Sequence, residues 1–125
     1  MVQFKSSTNG ATIKFSVLHR YHDGIEFSVD VQTPFGSAKS AASTYFSGSP
    51  ALMFKSMASE WKGWKNEKTW NDLENRVFFS ARSDLTGHTK MTVKLADDES
   101  SFETVLYFDA GQLEAMANEI SALLP

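Results

Sequence analysis

Three histidines are the residues of this chain whose side chains are best suited to binding a metal ion. His19 and His22 flank a predicted hairpin turn, and His88 follows a second turn. Imidazole nitrogens are common zinc ligands, so these turns would form a metal site if they converged. Exposed histidines in polar turns are the simpler interpretation. We therefore predict no metal site and no other cofactor.

The motifs of nucleophilic catalysis and nucleotide binding are absent from the sequence. No serine lies in a G-x-S-x-G elbow, and the chain has neither a G-x-G-x-x-G run nor a P-loop. Ser49-Pro50 is instead typical of a helix start, with Ser49 as the N-cap. We therefore expect a protein that is not an enzyme.

The acidic residues form two clusters that suit contact with a basic partner. Paired carboxylates perform acid–base chemistry where apolar surroundings shift their pKa, and polar turns do not supply such surroundings. One interpretation is a pair of solvated turns. The other is an acidic surface that speeds association with a basic protein. The candidate partner-binding residues are Glu67, Asp72, Glu74, Asp97, Asp98 and Glu99.

Composition narrows the class of protein. A length of 125 residues with 42% hydrophobic residues fits a single domain spanning 1–125. The net charge of −3 disfavours nucleic-acid binding, which normally needs a basic face. There are no cysteines, no apolar run long enough to cross a membrane, and no apolar core of a secretory signal at the N-terminus. We expect a cytoplasmic protein.

Periodicity predicts an α+β fold in which two helices pack on one face of an antiparallel sheet, or of two sheets. Alternating apolar residues predict a strand over 25–33, and small residues allow a weaker one over 37–46. Asp109 and Gln112 form a capping box before the final helix. The predicted strands are 12–19, 25–33, 37–46, 77–82, 90–95 and 102–108.

The order of elements predicts a pseudo-repeat of β-β-β-α, with similar halves at about 10–64 and 76–125. Phe15 falls on Phe79 at a shift of 64 residues, and the segment 27–31 falls on 91–95 at the same shift. Phe46, before the first helix, falls on Phe108 at a shift of 62.

The tryptophans are predicted to belong to the core rather than to an interface. Trp61 and Trp64 continue the helical spacing that begins at Met53, which places both on the buried stripe of the first helix. Trp70 and Leu73 are three residues apart in the polar segment 65–75, where we expect a short helical turn. Of the three tryptophans, Trp64 and Trp70 are expected to be the least fully buried.

These residues also carry a resemblance. Trp61-Lys62-Gly63-Trp64, followed by Trp70-x-x-Leu73-Glu74 and a Gly87-His88 turn, resembles a bacterial family of unknown function related to WapI-type immunity proteins of polymorphic toxin systems. The resemblance covers roughly residues 50–125. It implies a small, cytoplasmic, non-catalytic protein that binds a cognate toxin domain, often a nuclease.

The leading hypothesis is therefore an immunity protein that neutralises a toxin by forming a complex with it. The alternative is a small-ligand-binding protein or minor enzyme, with a pocket between sheet and helices polarised by His19 or His22. A homodimer formed through exposed sheet edges is a third possibility.

Overall fold

The computed structural model describes residues 1–84 and 86–125. Within these residues, four strands and a helix follow one another twice, in the predicted α+β class. Each helix is preceded by four strands rather than three. The elements are β1 (Val2–Lys5), β2 (Thr12–Tyr21), β3 (Gly24–Thr33), β4 (Gly36–Ser43), α1 (Ala51–Ser59), β5 (Lys68–Asn71), β6 (Val77–Ser83), β7 (Thr89–Ala96), β8 (Ser101–Phe108) and α2 (Ala110–Leu123).

The strands form two antiparallel sheets in which neighbours along the chain pair. The first sheet has the order β1-β2-β3-β4 and the second β5-β6-β7-β8. Phe15 pairs with Val29 in the first sheet, and Phe79 pairs with Val93 in the second, so both partners move by 64 residues. The pairs between β3 and β4 recur between β7 and β8 at the same interval. This is the interval that the sequence overlay of the strands predicts.

The two helices pack against each other, and each also contacts the other half of the chain. α1 contacts β5, and α2 contacts β1. Ser49 Oγ accepts the N–H of Ala51 at 3.1 Å and donates to the carbonyl oxygen of Leu124, which ties the start of α1 to the end of α2. Ser49 thus satisfies a first-turn N–H as predicted, although Pro50 occupies the N-cap position. Neither helix of the described chain has the length and apolar character to cross a membrane.

α2 confirms the predicted helix and its cap. Asp109 and Gln112 form the capping box, in which Gln112 Oε1 accepts the N–H of Asp109 at 2.8 Å. The predicted stripe faces the core, although Leu123 is only partly buried. Its fully buried members are Leu113, Met116, Ala117, Ile120 and Leu124.

Aromatic rings from both sheets meet in one core. Phe79 of β6 lies 5.9 Å from Phe15 of β2 and stacks on Trp70 of β5 at 5.7 Å, measured between ring centroids. Trp70 in turn lies 5.9 Å from Phe27 of β3. These separations are those of favourable aromatic pairs. The indole N–H of Trp70 donates to the carbonyl of Gly48 at 3.2 Å, so its polar group is satisfied inside the core.

α1 ends earlier than predicted, at Ser59. Gly63 has a φ of 130°, which L side chains rarely adopt, so the backbone is not helical there. Trp61 lies beyond the helix and is 51% exposed. Trp64 is half-buried, and its indole N–H donates to the carbonyl of Ala81 at 3.3 Å. The prediction that both tryptophans lie on the buried stripe of the helix is wrong.

The segment 65–75 forms strand β5 and a turn, so the prediction of a short helix there is wrong. Trp70 lies opposite Phe79 in the strand pair and is 7% exposed, which makes it the most buried tryptophan rather than one of the less buried ones. Leu73 lies in the following turn and is 56% exposed. A spacing of three residues, which suits one helix face, here separates a strand residue from a turn residue.

Two further differences concern the ends of the first sheet. β1 has no counterpart in the prediction, because two apolar residues in a four-residue strand are too short a pattern. β4 ends at Ser43, so Tyr45 and Phe46 lie outside the sheet. Phe46 is exposed whereas Phe108 is buried in β8, and the predicted overlay of these two residues is wrong.

Trp70→Ala tests the aromatic core. Removing a large side chain from a packed core costs about 3–5 kcal/mol, and we expect a loss of this size in the free energy of unfolding measured in urea. Trp61→Ala is the matched control, because removing an exposed ring changes stability by about 0.5 kcal/mol or less. Equal losses for the two variants would contradict the assignment of Trp70 to the core.

Candidate protein-binding surface

Asp72 begins the turn between β5 and β6, and its carboxylate shapes that turn. Oδ1 accepts the N–H of Arg76 at 2.8 Å and the N–H of Val77 at 2.9 Å. The residue is only 3% exposed. Local bonds of this kind fix a turn by satisfying backbone donors. Asp72 therefore has a structural role, and little of its carboxylate is available to a partner.

The turn between β7 and β8 is built in a similar way around Asp97. Its Oδ1 accepts the N–H of Glu99 at 2.9 Å and the N–H of Ser100 at 2.7 Å. These bonds, that of Glu99 foremost, hold the pKa of Asp97 below its usual value. Asp98 and Glu99 are exposed in the same turn. One carboxylate thus organises the turn and two face the solvent.

Arg76 brings the two acidic turns together. Its carbonyl accepts the N–H of Ala96 at 2.9 Å, and its Nε pairs with Oε2 of Glu74 at 2.9 Å. The charge of Arg76 also contributes to the lowered pKa of Asp97. Five of the six candidate residues therefore lie close together, four of them exposed and Asp72 buried. They are Asp72, Glu74, Asp97, Asp98 and Glu99.

Glu67 does not join this surface. It precedes β5, at the opposite end of that strand from Asp72. Its Oε2 accepts the hydroxyl of Ser80 at 2.6 Å and lies 3.6 Å from Nε of Arg82. These contacts hold Glu67 against strand β6 of the second sheet, away from the two acidic turns.

Three large apolar side chains are exposed next to the turn that follows β5. Tyr45 and Phe46 follow β4 and are 52% and 82% exposed, and Leu73 follows β5. Phe46 has a φ of 67°, which is uncommon for a residue other than glycine and typical of functional sites. The sequence prediction misses this cluster, because it places Tyr45 and Phe46 at the end of a strand. Residues 47–50, which follow, are of types common in loops, and they indicate that the strand ends before Tyr45.

Two clefts connect these features along β4. One of about 270 Å³ is lined by residues 41–43 and Tyr45 on one side and by 72–74 and Arg76 on the other. A second of about 240 Å³ lies between residues 37–40 and residues 95–97 and 100–102. We call the whole surface, residues 37–46, 72–76 and 95–102, the β4 groove. Exposed aromatic residues beside a charged rim are the composition of a protein interface.

The histidines lie on the surface. The rings of His19 and Tyr21 are 4.3 Å apart, and Nδ1 of His88 lies 3.3 Å from Oδ2 of Asp84. Among residues 1–84 and 86–125, no three or more metal-binding side chains are grouped to hold an ion. His19 and His22 are both exposed, and phenylalanine rings fill the space between the sheets and α1.

Comparison with known families gives a match over nearly the whole chain. Residues 4–125 match a family model described as Family of unknown function (DUF6228). None of the curated proteins compared with the chain matches it. The match includes the first half, to which the resemblance of residues 50–125 does not extend, and the description assigns neither an activity nor a partner.

Asp72→Ala tests the structural role of the first acidic turn. Two backbone N–H groups lose a charged acceptor, so we expect the free energy of unfolding to fall by about 1–3 kcal/mol. Glu74→Ala removes a nearby carboxylate that is held only by a surface ion pair, and should cost about 0.5 kcal/mol or less. Urea unfolding at pH 7 measures both. A Glu74→Ala variant as unstable as Asp72→Ala would show that Asp72 has no special role.

Asp97→Asn tests the second turn through its pH dependence. Because the pKa of Asp97 is lower in the folded chain than its ordinary value of 3.8, the carboxylate stabilises the fold above that value. This contribution is lost as the pH falls through the folded pKa. The variant should therefore be less stable than the wild type at pH 7, and the two should converge in acid.

Thermal unfolding between pH 7 and pH 2 measures this difference. Asp98→Asn is the control, because it makes the same change of charge in the same turn. A difference that does not vary with pH, or an equal one in the control, would be inconsistent with the hydrogen bonds assigned to Asp97.

Proposed function

The chain belongs to this family of unknown function, and we propose that it is a non-catalytic, cytoplasmic immunity protein that binds and neutralises a bacterial toxin domain. The observation that carries the proposal is the β4 groove. Tyr45 and Leu73 line one end of it, and the exposed Phe46 lies with Leu73 in an adjoining cleft. Burial of these side chains against a partner would remove apolar surface from water. Aromatic side chains of this kind dominate the binding energy of protein interfaces.

The backbone at Phe46 supports a role in binding rather than in folding. A left-handed conformation costs a residue with a Cβ about 1–2 kcal/mol, and the ring gains no burial within the chain to offset this cost. Such strain is typical of positions that serve contact with a ligand. The ring of Phe46 is therefore the first candidate for an anchor in a partner's pocket.

The charge of the groove indicates a basic partner. Glu74, Asp98 and Glu99 are exposed around it, and the chain as a whole carries a net charge of −3. Complementary charge speeds association and excludes partners of the same sign. A nuclease toxin, whose surface must attract nucleic acid, has the complementary basic character.

The relation to WapI-type immunity proteins is part of this proposal, and it assigns the shared tryptophans to the scaffold. Trp70 lies in the aromatic core, and Trp64 bonds to the backbone of β6. Trp64 and Trp70 therefore support the fold, while Leu73 and Glu74, which carry the same resemblance, lie in the groove that provides the contact surface. No observation favours the alternative of an internal pocket, because His19 and His22 are on the surface.

If the proposal is right, a neighbouring gene should encode a protein with a toxin domain, and that domain is the partner used in the test. Co-expression of the wild-type chain should protect cells from that domain, and the two purified proteins should form a complex. Phe46→Asn should weaken the complex about tenfold or more, because it removes an aromatic anchor. Asparagine tolerates the left-handed conformation, so the fold is retained. Titration calorimetry gives both affinities.

Trp61→Ala is the matched control, since it removes an exposed aromatic ring beyond the other end of α1. It should protect cells and bind as well as the wild type does. Failure of the toxin domain to bind the wild-type chain would contradict the proposal. Equal weakening by the two substitutions would remove the groove from the interface.

A further inference from the structure

The outer edge of β4 presents backbone groups without a strand to pair with. β4 pairs with β3 alone in the described sheet. Thr44 N donates to the carbonyl of Ile25 at 3.0 Å, which marks that pair as hydrogen-bonded. Because hydrogen-bonded and non-hydrogen-bonded pairs alternate in an antiparallel ladder, Ser43 and Ala41 direct their N–H and C=O groups to the outer edge.

The equivalent edge of the second sheet is covered by the chain itself. At the interval of 64 residues, Ser43 corresponds to Tyr107 and Ala41 to Val105. The N–H of Ser7 donates to the carbonyl of Tyr107 at 2.7 Å, and the N–H of Tyr107 donates to Ser6 Oγ at 2.9 Å. Asn9 Nδ2 donates to the carbonyl of Val105 at 2.7 Å. The bent segment after β1 thus satisfies, partly through side chains, the backbone groups that β8 presents at this edge.

A difference in hairpin length leaves the β4 edge open. Val2 pairs with Phe15, and the corresponding pair in the second sheet is Trp70 with Phe79. The first pair is 13 positions apart along the chain and the second is nine, so the β5–β6 hairpin extends two pairs less beyond these residues. Both hairpins end on pairs seven positions apart, Lys5 with Thr12 and Asn71 with Phe78, so the difference lies in the strands and not in the loops. The cleft of about 270 Å³, between β4 and the connection after β5, lies where a hairpin longer by two pairs would bring that connection onto the edge.

The lining of the groove selects the charge of an occupant. Acidic side chains outnumber basic ones in the two clefts, and Arg76 is already paired with Glu74. Asp98 and Glu99 add two exposed carboxylates in the turn at one end. The charged lining residues are Glu26, Asp72, Glu74 and Asp97 against Lys39 and Arg76.

We propose that the β4 edge binds an extended segment of the partner protein, bearing lysine or arginine, as a fifth strand of the first sheet. This inference rests on the proposed function in that the segment belongs to the toxin domain. Main-chain bonds to Ser43 and Ala41 supply affinity, as in other cases of strand addition to a sheet edge. Basic side chains that reach the acidic turns supply selectivity, and Tyr45 and Leu73 flank one end of the strand.

Peptide titration tests the edge without the toxin. The probe is a blocked octapeptide of alternating lysine and valine, added to the ¹⁵N-labelled full chain. We expect the amide resonances of Ala41 and Ser43 to shift. A glutamate–valine octapeptide should bind about tenfold more weakly or worse, and the difference should shrink in high salt. A lysine–valine peptide N-methylated at alternate residues should also lose about tenfold, because it cannot complete the ladder.

Ala41→Pro tests the same edge from the side of the protein. The N–H at position 41 faces outward, and proline is tolerated in edge strands at such positions. We expect the variant to keep its fold, as judged by its ¹⁵N spectrum, and to bind the lysine–valine peptide and the toxin domain about tenfold more weakly or worse. If Ala41→Pro does not fold, the N-methylated peptide removes the same hydrogen bonds from the other partner.

The outcomes separate this inference from the proposed function. If the toxin domain binds wild type and Ala41→Pro equally, the edge inference fails and the proposed function stands. If the toxin domain binds neither protein, the proposed function fails. The toxin domain is then also excluded as the source of the extended segment. Absence of shifts at Ala41 and Ser43, or equal binding of the glutamate peptide, overturns the edge site. A wild-type dimer in sedimentation that Ala41→Pro dissociates assigns the edge to a second copy and overturns it too.

Discussion

The packing of Phe79 and Trp70 against Phe15 and Phe27 is the contact on which the arrangement of the two sheets depends. A four-stranded meander has an apolar face that must be buried against another layer. Here the rings of each sheet cover those of the other, and α1 packs on the same cluster. Trp70 stands two residues before Asp72, so the aromatic contact also fixes where the acidic turn emerges beside β4. The position of the groove therefore depends on the packing of the aromatic core.

Local patterns made part of this fold predictable. The alternation over 25–33 and the capping box at Asp109 are set by neighbouring residues, and both are observed. The end of α1 and the strand β5 are set by distant contacts instead. Trp61 and Trp64 keep a helical spacing although the helix has ended, and Trp70 joins a strand because Phe79 lies opposite it. The periodicity of a single sequence does not show that Phe79 lies opposite Trp70.

The candidate surface was predictable in its charge but not in its shape. Both acidic turns are visible in the sequence, and the pairing of Val77 with Leu95 brings their ends together. The sequence does not show that the carboxylates of Asp72 and Asp97 accept hydrogen bonds from backbone N–H groups. It also does not place β4 alongside these turns, because that contact joins residues of different sheets. The exposure of Phe46 follows from the early end of β4 and is equally non-local.

The near-repetition of the two sheets makes the difference in length between the β1–β2 and β5–β6 hairpins informative. A fold built twice on the same register has two edges of the same kind, at β4 and at β8, and an open edge is a site of unwanted pairing between copies. The longer β1–β2 hairpin brings the connection after β1 onto the β8 edge and closes that edge with residues of the same chain. At β4 the acidic turns oppose self-association instead, because two copies meeting there would bring like charges together. The same charges attract a basic chain, so the feature that keeps the edge from pairing with itself also leaves it selective for a different partner.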